Sequence, residues 1–228
     1  MTDDHDHDEQ VVGYLLLRKA IGILGLGFPF LLVFWCLFVC EDGSLRSSIS
    51  AYYHTCSHDW FVGILFAIGI FLWSYRGPKG EDTHYATLAG VCAWCVALLP
   101  TSAPEGAPRQ VPMLVAHLHT AFAVGLFLVL AYFSLKIFTR SEGERTPQKK
   151  QRDVIYRICG WAMLACIALI GVFWALQAKD LAPPWLVALK PVFVLETLAL
   201  AAFGVSWLTK GEAICGDPAP QPNPAVRP

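Results

Sequence analysis

The densest group of side chains able to do chemistry lies between residues 47 and 60. This segment reads SSISAYYHTCSHDW and combines hydroxyls, two imidazoles and one carboxylate. If the segment is helical, Ser50, His54 and His58 follow one another at intervals of four residues and share one face. Asp59 comes directly after them. Imidazole and carboxylate are ordinary zinc ligands, and a three-ligand site keeps a position open for an activated water.

A second pair of imidazoles, His117 and His119, stands at the start of a later apolar segment. Side chains two residues apart on a helix diverge by about 200°, so at most one of the pair can join the first group, and we favour His117. The sequence therefore predicts a zinc site of His54, Asp59 and His117, in which Ser50 holds a water or an oxyanion. The alternative, which carries more weight, is a polar cluster at the membrane surface in which His54 caps a helix or bonds to a carbonyl.

Glu196 is the third candidate, because it lies near the middle of the last apolar segment, in VFVLETL. A carboxylate at that depth in a membrane is costly, so it is a functional hypothesis by default, either catalytic or as the proton carrier of a transporter. The alternative is a hydrogen-bonded glutamate that joins helices, with Thr197 or another hydroxyl as its partner. Lys190 lies six residues earlier and does not share the helix face of Glu196.

Composition indicates which elements must position these residues. The 228 residues are 55% hydrophobic and 15% charged, with a mean hydropathy of +0.49, whereas soluble domains are about 25% charged. The net charge of −1 gives no reason to expect a nucleic-acid partner. A spanning helix needs about 20 apolar residues, and the sequence predicts an all-α membrane bundle of about six of them. The predicted spans are residues 11–40, 60–75, 85–100, 111–135, 158–176 and 185–208.

The distribution of basic residues predicts the orientation of the bundle. With a cytoplasmic N-terminus, thirteen of the seventeen Lys and Arg residues fall on the inner side, which places both termini in the cytoplasm. The predicted parts are an acidic cytoplasmic segment (1–10), a six-helix domain (11–209) and a disordered Pro-rich cytoplasmic tail (210–228). The basic inner loop, 139–153, is expected to be solvated. We expect a multi-pass protein of a bacterial inner membrane with lipids as partners, and leave open whether it forms a homo-oligomer.

Two motifs inside predicted spans indicate packing rather than chemistry. Cys92 and Cys95 have the spacing of a redox or zinc pair, but they lie in the middle of an apolar helix. Gly22, Gly25 and Gly27 resemble a nucleotide loop only superficially, because no strand precedes them and they lie in lipid. Close helix packing explains both motifs.

Cys40 and Cys56 differ from the other six cysteines, because they flank one predicted outer loop. That loop faces a compartment that could be oxidising. A disulfide between them is one alternative, and two free thiols are the other.

The stretch SISAYYHT at residues 48–55, followed by DWFVG, resembles uncharacterised bacterial six-span proteins. It is similar, more distantly, to the superfamily of the autophagy-modulator DRAM proteins and the yeast Sfk protein, which share a Ser-Ile-Ser element in the first outer loop. This resemblance covers residues 11–208 and implies a lipid-linked role without a defined reaction. We therefore expect an outward-facing polar pocket that handles or senses a lipid.

Ser50 and His54 also resemble the Ser-x-x-x-His element of the ceramidase-like CREST membrane hydrolases, which bind zinc. Asp59 and His117 could stand in for other ligands of that family. The family has seven spans and a His-x-x-x-His pair on the last one, whereas residues 185–208 contain no histidine. A zinc-dependent amide or ester hydrolase and a proton-coupled transporter using Glu196 are thus the alternatives to lipid handling.

Overall fold

A computed structural model describes residues 2–40, 44–77, 79–104, 110–141 and 146–216, with side chains from residue 13 onward. Most of the predicted tail, 210–228, lies outside these residues. Over the described ranges the regular structure is entirely helical, which confirms the predicted all-α class. The helices are α1 (Thr2–Phe34), α2 (His58–Ser74), α3 (Gly80–Leu98), α4 (Met113–Tyr132), α5 (Pro147–Gln177), α6 (Pro184–Ala188) and α7 (Pro191–Lys210).

Among the described residues, four segments are long and apolar enough to cross a membrane, with mean hydropathies from 1.8 to 2.3: Gly13–Val39, Met113–Ile137, Pro147–Gln177 and Pro191–Lys210. The first two include π-helical turns, Trp35–Val39 and Phe133–Ile137, that lengthen α1 and α4. Helix α2 is apolar but has only 17 residues. Helix α3 has 19 residues, but its first turn carries the charged residues Glu81 and Asp82. Length and composition fit a membrane protein, while the count of six spans stays a prediction.

Helix α7 lies between α1 and α5, and α2, α3 and α4 pack in sequence beside them. The contact of α1 with α7 is backbone against backbone. A Cβ on Gly22 would lie 2.9 Å from the carbonyl oxygen of Gly204, and one on Gly25 would lie 2.4 Å from the ring of Phe203. The close packing predicted for the glycine run is therefore confirmed at these two positions, whereas Gly27 has nothing within 4 Å.

One end of the bundle is filled by an aromatic cluster. The ring centroid of Trp207 lies 5.4 Å from that of Tyr75, 5.7 Å from Phe133 and 5.2 Å from Phe138. Phe138 in turn lies 5.4 Å from Tyr156. All five side chains are at most 2% exposed. We call these five residues the aromatic cluster.

The segment 139–153 is predicted to be a solvated loop, but its second half belongs to a helix. Helix α5 begins at Pro147, and Thr146 caps it by accepting a hydrogen bond from a backbone N–H of the first turn. A capping threonine followed by proline at the first helical position is a strong helix start. Arg152 and Asp153 are buried against the bundle. The expectation of a solvated segment is thus wrong for these residues.

Candidate functional site

A disulfide fastens the loop that carries the candidate residues. Cys40, directly after the π-helical turn of α1, is bonded to Cys56, with 6.5 Å between their Cα atoms. The other six cysteines are free. The sequence left open whether Cys40 and Cys56 are bridged or free, and in the structure they form a disulfide.

The expected continuous helix from Ser50 to His58 is absent. Ser50–His54 is a short 3-10 helix that ends at Thr55 in extended conformation, and α2 begins only at His58. The Thr55 hydroxyl donates to the carbonyl of Tyr52 at 2.8 Å and accepts from the N–H of Ser57 at 3.1 Å. Such local bonds compete with helical ones. Ser50, His54 and His58 therefore do not share one helix face.

The Glu196 carboxylate binds the loop between α1 and α2 to α7. It accepts hydrogen bonds from the N–H of Ile49 and, at 3.4 Å, from the N–H of Ser50. The Ser50 hydroxyl donates to the other carboxylate oxygen at 3.5 Å. One turn earlier, the N–H of Phe193 donates to the carbonyl of Ser47 at 3.0 Å. Ser50 and Glu196, which sequence reasoning assigned to separate hypotheses, thus belong to one site.

Lys190 extends this attachment to the residue before α7. Its backbone is left-handed, with φ of 50°, although residues preceding a proline usually adopt extended conformations. Its ammonium group donates to the carbonyl of Leu45. The loop is therefore held along the first two turns of α7 by Lys190, Phe193 and Glu196.

Beside this loop lies a cavity of about 650 Å³, within the range of small-molecule sites. Its walls come from the loop between α1 and α2, the segment after α3, and helices α4, α5 and α7. On α4 the lining runs from His117 through Thr120 and Ala123 to Phe127, at helical intervals. Ten residues along a helix correspond to a depth of about 15 Å.

The cavity is polar at one end and apolar at the other. The deep wall consists of apolar side chains from α4 and α5, namely Ala123, Val124, Phe127, Ile167 and Ile170. The polar side chains lie where the loop meets the helix ends, and are those of Ser47, Ser48, Ser50, Thr101, Ser102, His117, Gln177, Lys190 and Glu196. The apolar residues Val187, Pro191 and Val192 line this end beside them. This division suits a ligand with a polar head and an apolar body.

Two histidines hold the segment that follows α3. His54 Nε2 lies 2.8 Å from the carbonyl oxygen of Thr101, and His119 Nδ1 lies 2.6 Å from that of Leu99. Because a carbonyl only accepts, each of these ring nitrogens donates. His54 therefore bonds to a carbonyl, as the more favoured sequence interpretation expects.

The predicted zinc ligands are not gathered in one place. His117 lines the cavity, whereas exposed Asp59 lies in a shallow groove against α1, next to Trp60 and Gly63. Among the described residues, no group of three His, Cys, Asp or Glu side chains could hold a metal ion. The break before α2 explains this arrangement, because Asp59 belongs to a helix that begins after His54, at His58. The residues present do not fit a zinc site, and we derive no step through one.

Three parts of the polar end were not predicted from the sequence. They are the two hydroxyls of Thr101 and Ser102, the side chain of Gln177, and the position of Lys190 in the cavity wall. Gln177 could have been noticed as the polar residue that ends an apolar helix. Thr101 and Ser102 carry no such signal, because hydroxyl residues after a helix are ordinary in loops.

No protein-family model matches the chain, and neither a curated protein nor a solved structure matches it. The resemblances to the DRAM and Sfk superfamily and to the CREST hydrolases therefore stay predictions.

Proposed function

We propose that this chain is a six-span membrane protein, with both termini cytoplasmic, whose cavity binds an amphipathic lipid from the outer leaflet. The single observation that carries the proposal is the division of the cavity into a polar end and an apolar end over about 15 Å. The hydrocarbon core of a bilayer is about 30 Å thick, so this depth corresponds to one leaflet. The headgroup would meet the hydroxyls of the loop, and the chain would lie against α4 and α5.

Three features support the orientation. Most Lys and Arg residues fall on the predicted inner side. Helices α1 and α7 are antiparallel, since Gly22 lies against Gly204 and the earlier Lys19 against the later Gly211. The Cys40–Cys56 bridge lies at the cavity end, and disulfides persist in oxidising compartments rather than in the cytoplasm.

The contacts of Ser50 favour binding over catalysis. A serine nucleophile is activated by an adjacent base, most often a histidine. The Ser50 hydroxyl donates to Glu196, whose carboxylate also accepts hydrogen bonds from two backbone N–H groups of the loop, and the His54 ring is bonded to a backbone carbonyl. These groups shape the polar end and hold the loop in place.

Blocking the apolar end tests the proposal. Ala123 lines the cavity, whereas Ala121, two residues earlier on the same helix, is exposed on the outer surface of the bundle. The protein is extracted in mild detergent and its bound lipids are counted by native mass spectrometry. Wild type and Ala121→Phe should retain the same lipid, and Ala123→Phe should lose about tenfold in occupancy, because overpacking of about 1–3 kcal/mol opposes it. Equal retention by all three proteins, or no retained lipid in wild type, would refute the proposal.

A second candidate, proton-coupled transport, is favoured by one observation: Glu196 is part of the cavity wall. Proteoliposomes that contain a pH-sensitive dye test it under an imposed membrane potential. Transport predicts that wild type acidifies the lumen and that Glu196→Gln does not. Equal rates in the two proteins would exclude Glu196 as the proton carrier.

A further inference from the structure

His119 is the one buried histidine among the described residues, and it lies in the wall of the cavity. Its side chain is 2% exposed. Along α4 it stands between His117, at the polar end, and Ala123, on the apolar wall. Four residues of helix correspond to about 6 Å, so the His119 ring lies close to the boundary between the two ends of the cavity.

The hydrogen bond that His119 makes determines the role of each ring nitrogen. Nδ1 donates to the carbonyl oxygen of Leu99 at 2.6 Å. A buried imidazole whose partner is a carbonyl is neutral, because an unpaired charge is costly to bury. A neutral imidazole has one donor nitrogen and one acceptor nitrogen. Nε2 of His119 is therefore an acceptor, and a group that bonds to it must carry an O–H or N–H.

Nε2 of His119 is buried and has no hydrogen-bond partner among the residues that the structure describes. The hydroxyl of Thr120, the next residue, donates to the carbonyl of Ala116 at 3.2 Å. The hydroxyl of Ser50, on the loop, donates to Glu196. Buried polar atoms in proteins nearly always have a hydrogen-bond partner. An open acceptor in a cavity wall therefore indicates a place where a donor from outside the chain binds.

A ligand reaches Nε2 when a side chain of the wall turns aside, because the atom is covered in the structure. The two residues beside His119 that also line the cavity are not tightly packed: His117 is exposed and Thr120 is half-buried. Side chains of this kind change rotamer rapidly. Access to His119 consequently requires no rearrangement of the helices.

We propose that His119 Nε2 accepts a hydrogen bond from a hydroxyl of the bound lipid, and that the cavity takes a lipid of the diacylglycerol class. This inference rests on the proposed lipid-binding function. A diacylglycerol carries its free hydroxyl directly beside its chains, which matches the position of His119 at the boundary of the two ends. The ester and phosphate oxygens of phosphatidylcholine only accept hydrogen bonds, so that lipid cannot bond to Nε2.

Two lipids that differ in one hydrogen-bond donor test the inference. Dioleoylglycerol has a free hydroxyl, and in its O-methyl ether the same oxygen carries a methyl group. Wild type in mild detergent is offered equal amounts of both, and native mass spectrometry counts the molecules of each that it retains. We expect dioleoylglycerol to be retained about tenfold more, because the ether leaves a buried acceptor without its hydrogen bond.

The variant His119→Asn separates the hydrogen bond from the shape of the cavity. The asparagine amide can still donate to the Leu99 carbonyl from near the position of Nδ1, but the Nε2 acceptor is gone. This variant should retain the two lipids equally. The control is His84→Asn, at an exposed histidine of α3 that does not line the cavity, and it should keep the tenfold preference.

The wild-type preference decides the question even if His119→Asn does not fold. Equal retention of the two lipids by wild type, or an unchanged preference in folded His119→Asn, would overturn this inference and leave the proposed function standing. Retention of neither lipid by wild type would also overturn it. In that case the proposed function fails as well only if no other lipid is retained by the purified wild type.

Discussion

Glu196 in α7 accepts a hydrogen bond from the hydroxyl of Ser50, with 3.5 Å between Ser50 Oγ and Glu196 Oε1. The two residues are 146 positions apart in the chain. The same carboxylate also accepts from the N–H groups of Ile49 and Ser50. A carboxylate in a spanning helix is costly unless its oxygens are bonded. Glu196 therefore fixes the loop between α1 and α2 beside the cavity, and the loop provides the donors that Glu196 needs.

Replacing Glu196 should release the loop. Glu196→Ala leaves three donors of the loop without their acceptor, which costs about 1–3 kcal/mol of the free energy of unfolding. Glu196→Gln keeps one carbonyl oxygen and should cost less. Chemical unfolding in detergent, followed by tryptophan fluorescence, measures both variants.

The adjacent Thr197 serves as the control for these variants. Its hydroxyl donates to the carbonyl of Phe193 within the same helix, at 2.8 Å, so Thr197→Ala touches no bond to the loop. We expect a change within about 0.5 kcal/mol. If Thr197→Ala lowered the free energy of unfolding as much as Glu196→Ala, the hydrogen bonds from Glu196 to the loop would not be the cause of the destabilisation.

The sequence predicts the helical class because apolar runs of this length have few other structures available. It also predicts that Glu196 is exceptional, since its surroundings are apolar. It does not predict that Ser50 is the partner of Glu196, because no local pattern links positions so far apart. The cavity likewise depends on how α4, α5 and α7 are arranged, and amino-acid spacing within each helix does not specify that arrangement.

The local conformation does not support the zinc prediction. It assumes a helix through Thr55, but the hydroxyls of Thr55 and Ser57 make other bonds. The Ser57 hydroxyl donates to the carbonyl of Leu32 in α1 at 2.9 Å. Serine and threonine side chains often form hydrogen bonds to backbone groups, and these bonds can replace those of a helix. Spacing of four residues is therefore a weak guide to a shared face in a segment rich in hydroxyls.

Close packing of α1 and α7 gives the second prediction. Gly22→Ala should destabilise the protein by about 1–3 kcal/mol, because the added methyl group would lie 2.8 Å from the backbone nitrogen of Leu208 and 2.9 Å from the Gly204 carbonyl. Gly27→Ala, on the same helix, has open space at that position. Because alanine favours helix over glycine, Gly27→Ala should be neutral or stabilising. Thermal unfolding in detergent compares the two, and equal Tm values would contradict the contact.

The third prediction concerns Asp82, which is 1% exposed and bonded to Arg140 after α4. This hydrogen bond raises the pKa of Arg140 above its usual value. Asp82→Asn should cost about 1–3 kcal/mol, less than for a fully buried pair, because the Arg140 side chain is 34% exposed.

Glu81, the preceding residue in α3, is exposed and carries the same charge. Glu81→Gln should change the free energy of unfolding by no more than about 0.5 kcal/mol. The two variants, unfolded chemically at neutral pH, separate the effect of the bond from that of net charge. Equal losses would show that the bond between Asp82 and Arg140 is not the cause.

The disulfide gives the last prediction. Under denaturing conditions without reductant, a thiol reagent should label six cysteines, and after reduction all eight. The bond spans a sequence separation of 16 residues, so breaking it in the folded protein should cost about 3 kcal/mol. Because the loop between Cys40 and Cys56 forms one wall of the cavity, the double variant Cys40→Ser/Cys56→Ser should also retain less lipid. Cys215→Ser, at an exposed free cysteine, is the control and should retain as much as wild type. Labelling of eight cysteines before reduction would show that the bridge does not form, and unchanged lipid retention in the double variant would show that the cavity does not need it.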